Sequence, residues 1–137
     1  MIGYVYKESP HKNSERAILL ENNSEYFNTQ QYSPTLVTIK GPCENPSWKI
    51  IKDGNILSSA LFNITIKNTE KLIISSYPEN QYARLYDING NFKNVIQFSD
   101  FSQSTFMGIP LGTSVVLAYI QDSSYFDITF REERLVV

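Results

Sequence analysis

The chain carries a single histidine and a single cysteine, so any nucleophile–base pair would have to recruit His11 or Cys43 with partners from elsewhere in the fold. His11 lies in the polar stretch Lys7-Glu8-Ser9-Pro10-His11-Lys12-Asn13-Ser14 and reads as a solvated surface histidine. Cys43 stands between Pro42 and Glu44 without the cationic neighbours that lower a thiol pKa. It reads as a small filler, and a lone cysteine excludes both an internal disulfide and a cysteine zinc site. Glycoside hydrolysis would need two carboxyl groups across a cleft, about 5–5.5 or 6.5–9.5 Å apart. Asp87, Asp100, Asp122, Asp127, Glu132 and Glu133 are available, but no motif pairs any two of them. Asp53-Gly54-Asn55 and Asp87-Ile88-Asn89-Gly90-Asn91 carry oxygen ligands for calcium without the spaced acids of a dedicated loop, and hairpin turns account for both. The expectation is a non-enzymatic protein with no catalytic residue, metal or cofactor.

Binding chemistry is better represented. Aromatic residues make up 13 % of the chain, with nine Tyr and eight Phe, while charged residues reach only 19 %, below the quarter usual in soluble proteins. Such a balance suits surfaces that hold proteins or sugars. Tyr77, Tyr82, Tyr86 and Tyr125 are the candidate ligand or partner surface, with Tyr119 beside them. Trp48, two residues after Pro46, alternates with Ile50 and is expected in the core rather than on a sugar ring. A net charge of −2 without clustered Lys and Arg excludes a nucleic-acid footprint. No apolar run approaches membrane-spanning length, and Met1–Glu8 lacks the basic region and apolar core of a signal peptide. Asn22-Asn23-Ser24 and Asn63-Ile64-Thr65 match the glycosylation pattern, which recurs by chance in short form.

The elements that would position these groups are strands. Short blocks of alternating apolar and polar residues, rich in Ile, Val, Phe and Tyr, recur between turn residues, and helical periodicity is nearly absent. Strands are expected at about 17–21, 35–40, 48–52, 56–58, 61–67, 71–75, 82–87, 92–97, 114–120 and 125–131. Asp53-Gly54 and Asn89-Gly90 should close hairpins, because such pairs accept positive φ. Ser99–Gln103 is the one helical turn, with Ser99 as its cap. Period two puts Val37, Ile39, Phe62, Ile64, Ile66, Val116, Ala118, Phe126, Ile128 and Phe130 in the core, and Thr38, Asn63, Thr65, Asp127 and Thr129 towards water. Such even spacing predicts an all-β, two-sheet antiparallel β-sandwich over 17–137, preceded by an arm or loop over 1–16. Arg131–Val137 has the charged look of an edge strand or subunit contact.

Two segments punctuate this pattern. Thr38-Ile39-Lys40-Gly41-Pro42-Cys43-Glu44-Asn45-Pro46 ends one strand at a Gly-Pro/Asn-Pro corner, where Pro42 and Pro46 cannot join a ladder and push their predecessors out of the helical region. Phe106-Met107-Gly108-Ile109-Pro110-Leu111-Gly112 is its companion, an aromatic and a Pro-x-Gly turn leading into a strand. With the opening strand Ile18-Leu19-Leu20-Glu21-Asn22 and the run Glu70-Lys71-Leu72-Ile73-Ile74, these motifs in this order resemble the C-terminal galectin-like domain of the distal tail protein of siphophages that infect Gram-positive bacteria.

The resemblance covers about four fifths of the chain and implies a galectin-like or jelly-roll-like sandwich. It marks Gly41, Pro42, Asn45, Pro46, Phe106, Pro110 and Gly112 as structural corner residues. In that family, six copies form a ring between tail tube and adsorption apparatus, and the galectin-like domain hangs outside it and can hold receptor-binding proteins. An amino-terminal domain that the motifs do not cover builds the ring. The resemblance thus implies a bacteriophage virion protein of the tail tip or baseplate, made in the host cytoplasm. Its partners would be other tail proteins, a receptor-binding protein or further copies of itself. The alternative is a carbohydrate-binding module contacting host cell-wall polysaccharide through exposed Tyr.

Overall fold

The computed structural model describes residues 15–23, 32–104 and 106–130. His11, Glu132, Glu133 and the segments 1–14 and 131–137 lie outside the described residues. Twelve strands and one short 3₁₀ turn are described: β1 (Glu15–Asn22), β2 (Tyr32–Lys40), β3 (Cys43–Glu44), β4 (Ser47–Lys52), β5 (Asn55–Leu61), β6 (Thr65–Ile66), β7 (Lys71–Ser75), β8 (Tyr82–Tyr86), β9 (Phe92–Asn94), β10 (Gly108–Pro110), β11 (Gly112–Tyr119) and β12 (Tyr125–Phe130). The turn spans Ile96–Phe98. The protein is an all-β antiparallel sandwich, as the alternation predicts.

One sheet runs β1-β11-β4-β5; the other runs β10-β2-β7-β8-β9, with β12 also paired to β2. β3 and β6 form a two-stranded ladder of their own. The β4–β5 hairpin closes through Asp53 at φ 52° and Gly54 at φ 79°, the paired positive values that a two-residue turn matching strand twist requires. The β8–β9 hairpin uses a longer turn in which Gly90 alone takes positive φ, with Asp87 Oδ1 accepting from the Asn89 and Asn91 backbone N–H groups at 2.9 and 3.0 Å.

The core lies between the sheets. Ile18, Leu20, Trp48, Ile50, Ala60, Val116 and Ala118 meet Val37, Ile39, Leu72, Ile74, Phe126, Ile128 and Phe130, all buried. Trp48 is a core residue, stacked on Phe62 at 6.1 Å between ring centroids and tilted against Phe126 at 5.8 Å. Burying each such side chain contributes about 1.5–3 kcal/mol.

Three expectations need correction. The run 61–67 is not one strand: β5 ends at Leu61, Phe62 bridges to Ser99, and only Thr65–Ile66 pairs again. Ile64 is accordingly half-buried, packed on the rim of the core, while Phe62 and Ile66 are fully buried. Its carbonyl accepts from Asn45 N–H at 2.8 Å, and Asn63 N–H donates to Phe98, so these residues serve as extended docking chain. The run 92–97 breaks after Asn94, whose side-chain oxygen accepts from Ile96 N–H at 3.1 Å and starts the 3₁₀ turn. Ser99 follows that turn instead of capping a helix. Asp100 caps the next turn, accepting from Ser102 N–H and Oγ–H and from the Gln103 side-chain amide.

Candidate functional site

The Gly41–Pro46 corner joins β2 to β4 and is clamped from two sides. The Gly41-Pro42 peptide is cis, and Asn45 adopts φ 49°. A Cβ on Gly41 would overlap the backbone carbonyl oxygens of Ile66 and Lys67, so the close approach of two backbone segments leaves no room there for a side chain without a backbone shift. Opposite, the β11–β12 turn grips the same corner. Gln121 exchanges hydrogen bonds with the Glu44 backbone, accepting at 2.8 Å and donating at 3.3 Å, and Ser124 Oγ donates to the Pro42 carbonyl. Arg16 closes the clamp by donating to the carbonyls of Ser124, Asp122 and Gln121 at 2.6, 2.7 and 3.2 Å. Cys43 is buried beneath, and that burial raises its thiol above the ordinary value. A protonated, enclosed thiol is a poor nucleophile.

The companion segment docks through a buried polar network. Asn22 Nδ2 donates to Ser33 Oγ at 3.0 Å and to the Ile109 carbonyl at 2.9 Å. Thr35 Oγ1 donates to the Met107 carbonyl at 2.9 Å, and Met107 N–H donates to Ser76 Oγ at 3.1 Å. Ile109 and Pro110 are buried, Phe106 packs on the core margin, and Gly112 turns at φ 81° beneath the Lys52 ammonium. The seven corner residues therefore sit in two docked segments, with Pro46 and Pro110 buried, Phe106 half-buried, and Pro42 and Asn45 exposed at the surface of the corner. Asn22 is buried with its amide nitrogen engaged, which removes it as a glycosylation acceptor.

The acids are dispersed. Asp87 and Asp100 cap turns, Asp122 lies in the β11–β12 turn, and Asp127 lies on β12. Hydrogen bonds from Ser102 and Gln103 hold Asp100 below the usual carboxylate range. Among the described residues no three His, Cys, Asp or Glu side chains gather as a metal site. A depression of about 390 Å³ beside β6 and β9 is lined by Ile64, Lys67, Glu70, Leu85 and Lys93 among others; Glu70 Oε1 already accepts from Lys67 N–H at 2.9 Å.

The fold occurs in a phage baseplate. A chain of the structure described as the phage P2 baseplate in its activated conformation with Ca superposes with a TM-score of 0.53 at 15 % identity, over 80 % of this chain and 37 % of that one. This chain thus spans little more than a third of the length of that baseplate chain. No protein-family model matches the sequence, and no curated protein matches it at a significant level.

What remains to be explained is the outside of the sandwich. On the four-stranded sheet, Leu19, Val115, Ile51 and Ile56 are direct cross-strand partners, and Ala17 beside Leu117 forms the next row. Alternation sets all of them on the face opposite the core. Ala17, Leu19, Ile51, Val115 and Leu117 are half-buried, and Ile56 is 58 % exposed. The outer face of an antiparallel sheet is usually polar; here an aliphatic row crosses every strand.

The larger sheet presents a different face. Tyr125, Lys40, Lys71, Tyr86 and Phe92 follow one another across five adjacent strands. Tyr82 and Arg84 share that face of β8. Three of the four candidate Tyr residues therefore converge, whereas Tyr77 sits in the turn after β7, outside the row. Tyr119 lies on the other sheet beneath Lys49, 5.3 Å from its ring. Sequence reasoning found the tyrosines and missed both the cations among them and the aliphatic row, because register between strands far apart in the chain is invisible in one dimension.

Proposed function

We propose that this chain is a non-enzymatic structural component of a bacteriophage tail tip or baseplate, an attachment module that links the tail to the host-adsorption apparatus. The observation that carries this reading is the aliphatic row Leu19-Val115-Ile51-Ile56 on the outside of the four-stranded sheet, which suits burial against a neighbouring protein. The shared fold with a baseplate chain supports the setting. So does the order of the corner motifs, which resembles the hanging galectin-like domain of distal tail proteins. In this reading the partners are other tail proteins, a receptor-binding protein among them, and the chain resides in the virion after synthesis in the host cytoplasm.

The competing role, stacking wall polysaccharide on tyrosine rings, calls for open ring faces. Lys40 stands over Tyr125 at 5.0 Å and Arg84 over Tyr82 at 4.0 Å, so the attachment reading is favoured. Negative-stain microscopy of particles with antibody raised against this chain tests it. Label at the tail end is expected, and tails that stay bare while the antibody binds the purified chain would refute it.

A further inference from the structure

We infer that the outer face of the six-stranded sheet, centred on Arg84, docks a protein partner through that partner's carboxylates; this rests on the attachment reading above and specifies its chemistry. Arg84 is held over two rings at once, 4.0 Å from the Tyr82 centroid and 4.3 Å from that of Phe92. Lys40 lies over Tyr125 and Lys71 over Tyr86, at 5.0 and 6.0 Å. None of these three cations makes a side-chain hydrogen bond or ion pair with a described residue. The face therefore holds three cations against a single carboxylate in its strands, Asp127.

Two further acids, Glu70 and Asp87, line one depression with Lys40 and Lys71 and offset the charge at that end of the row, whereas Arg84 stands in the next row with Ile73 and Asn94 as its cross-strand partners. Among the described residues it is the Arg84 guanidinium whose charge is left for an outside carboxylate to complement. Ring contact fixes where each cation sits while leaving its N–H groups free to donate. A guanidinium so oriented can grip a carboxylate bidentately, and a Lys can reach a second one.

The composition favours a protein occupant over a glycan. Tyr, Phe and Arg dominate the centres of protein interfaces and carry most of their energy. Phe92 and Tyr125 remain 52 % and 48 % exposed around the cations, an apolar frame that would exclude water once covered. Five strands at about 4.8 Å spacing give the row a length of roughly 19 Å, broad and open, unlike a sugar cleft.

Titration of the full purified chain with poly-L-glutamate at low salt, followed by amide chemical shifts and calorimetry, tests the inference. Saturable binding is expected, with shifts confined to β2, β7, β8, β9 and β12. Arg84→Gln should weaken it about tenfold, and Lys71→Gln by a smaller factor. Lys49→Gln, on the other sheet, should leave it unchanged. A melting transition for each variant separates lost binding from lost folding, and Lys40→Gln provides a second probe if Arg84→Gln unfolds. Absence of saturable binding, equal loss with Lys49→Gln, or shifts elsewhere would overturn the inference. Tighter binding of poly(glycerol phosphate) than of polyglutamate would overturn it in favour of a wall polymer. All of these are read on the isolated protein, so their failure is distinct from an unlabelled tail.

Discussion

The Arg16 guanidinium reaches from β1 to the carbonyl oxygen of Ser124, 2.6 Å away and 108 positions later in the chain. Because Ser124 in turn donates to Pro42, a single cation ties together the first described strand, the β11–β12 turn and the Gly-Pro corner. Charge-assisted bonds of this kind contribute about 1.5–3 kcal/mol. Arg16→Ala is therefore expected to lower the unfolding free energy by about 2 kcal/mol in urea titration. Arg16→Lys should recover less than half of that loss, since one ammonium cannot reproduce the planar fork that serves several carbonyls. Arg16→Ala melting with the wild-type midpoint would show that the corner holds without its clamp.

Gly41 is required for lack of space, not for backbone freedom. A methyl group there would strike two carbonyl oxygens of the facing chain, and backbone cannot swing aside as a long side chain can. Gly41→Ala is expected to cost about 1–3 kcal/mol or more. Gly90→Ala, where a Cβ meets nothing within 4 Å, should cost only the strain of its positive φ, about 1 kcal/mol. Denaturation of the two variants side by side checks the order.

How much of this was legible in the sequence divides along a physical line. Features set by local chemistry could be read: the Asp53-Gly54 hairpin, the Pro-guarded corner, β7 at 71–75, and the burial of Trp48 among its neighbours. Features set by tertiary contact could not. Phe62, Ile64 and Ile66 alternate like a strand, but Phe62 N–H donates to the Pro46 carbonyl, the Ile64 carbonyl accepts from Asn45 N–H and Asn63 N–H donates to the Phe98 carbonyl, and only Ile66 enters a ladder, opposite Cys43. β3 and β10 are short strands created only by the segments that face them. The cation row is the clearest case. Lys40, Lys71, Arg84 and Tyr125 are unremarkable singly, and their chemistry exists only through the register of β2, β7, β8 and β12.

Asn22 ends β1 inside the protein, and its amide joins Ser33 to the Ile109 carbonyl. Removing it leaves a buried carbonyl and hydroxyl short of a donor. Asn22→Ala is expected to cost about 1–3 kcal/mol. Amide hydrogen exchange should accelerate first in β10, the element that this bond holds.

Asp100 gives the fold an acid-side dependence with a definite sign. Its folded pKa is held down by hydrogen bonds from the Ser102 hydroxyl, the Ser102 backbone and Gln103. The stabilisation is thus fully present above the unfolded carboxyl pKa and is lost as pH falls through the lower folded value. Melting temperatures of wild type and Asp100→Asn should differ near neutrality, with wild type higher, and converge in strong acid. A gap that stays constant with pH would mean that the carboxylate charge plays no part in the turn.

Ile50 and Ile51 are neighbours in sequence on opposite faces of β4, the first fully buried between the sheets and the second in the aliphatic row outside. Truncating Ile50 opens a cavity in packed core, so Ile50→Ala is expected to cost about 2–5 kcal/mol. Ile51→Ala removes contacts already shared with water and should cost about 1 kcal/mol or less. Ile56→Lys, at the exposed end of the same row, should leave the isolated chain's stability within about 0.5 kcal/mol and, on the attachment reading proposed above, abolish its incorporation into tails. Equilibrium denaturation paired with blotting of purified particles separates the two effects. Equal losses for Ile50→Ala and Ile51→Ala would mean that the outer row is as enclosed as the core, and the attachment reading would lose the surface on which it stands.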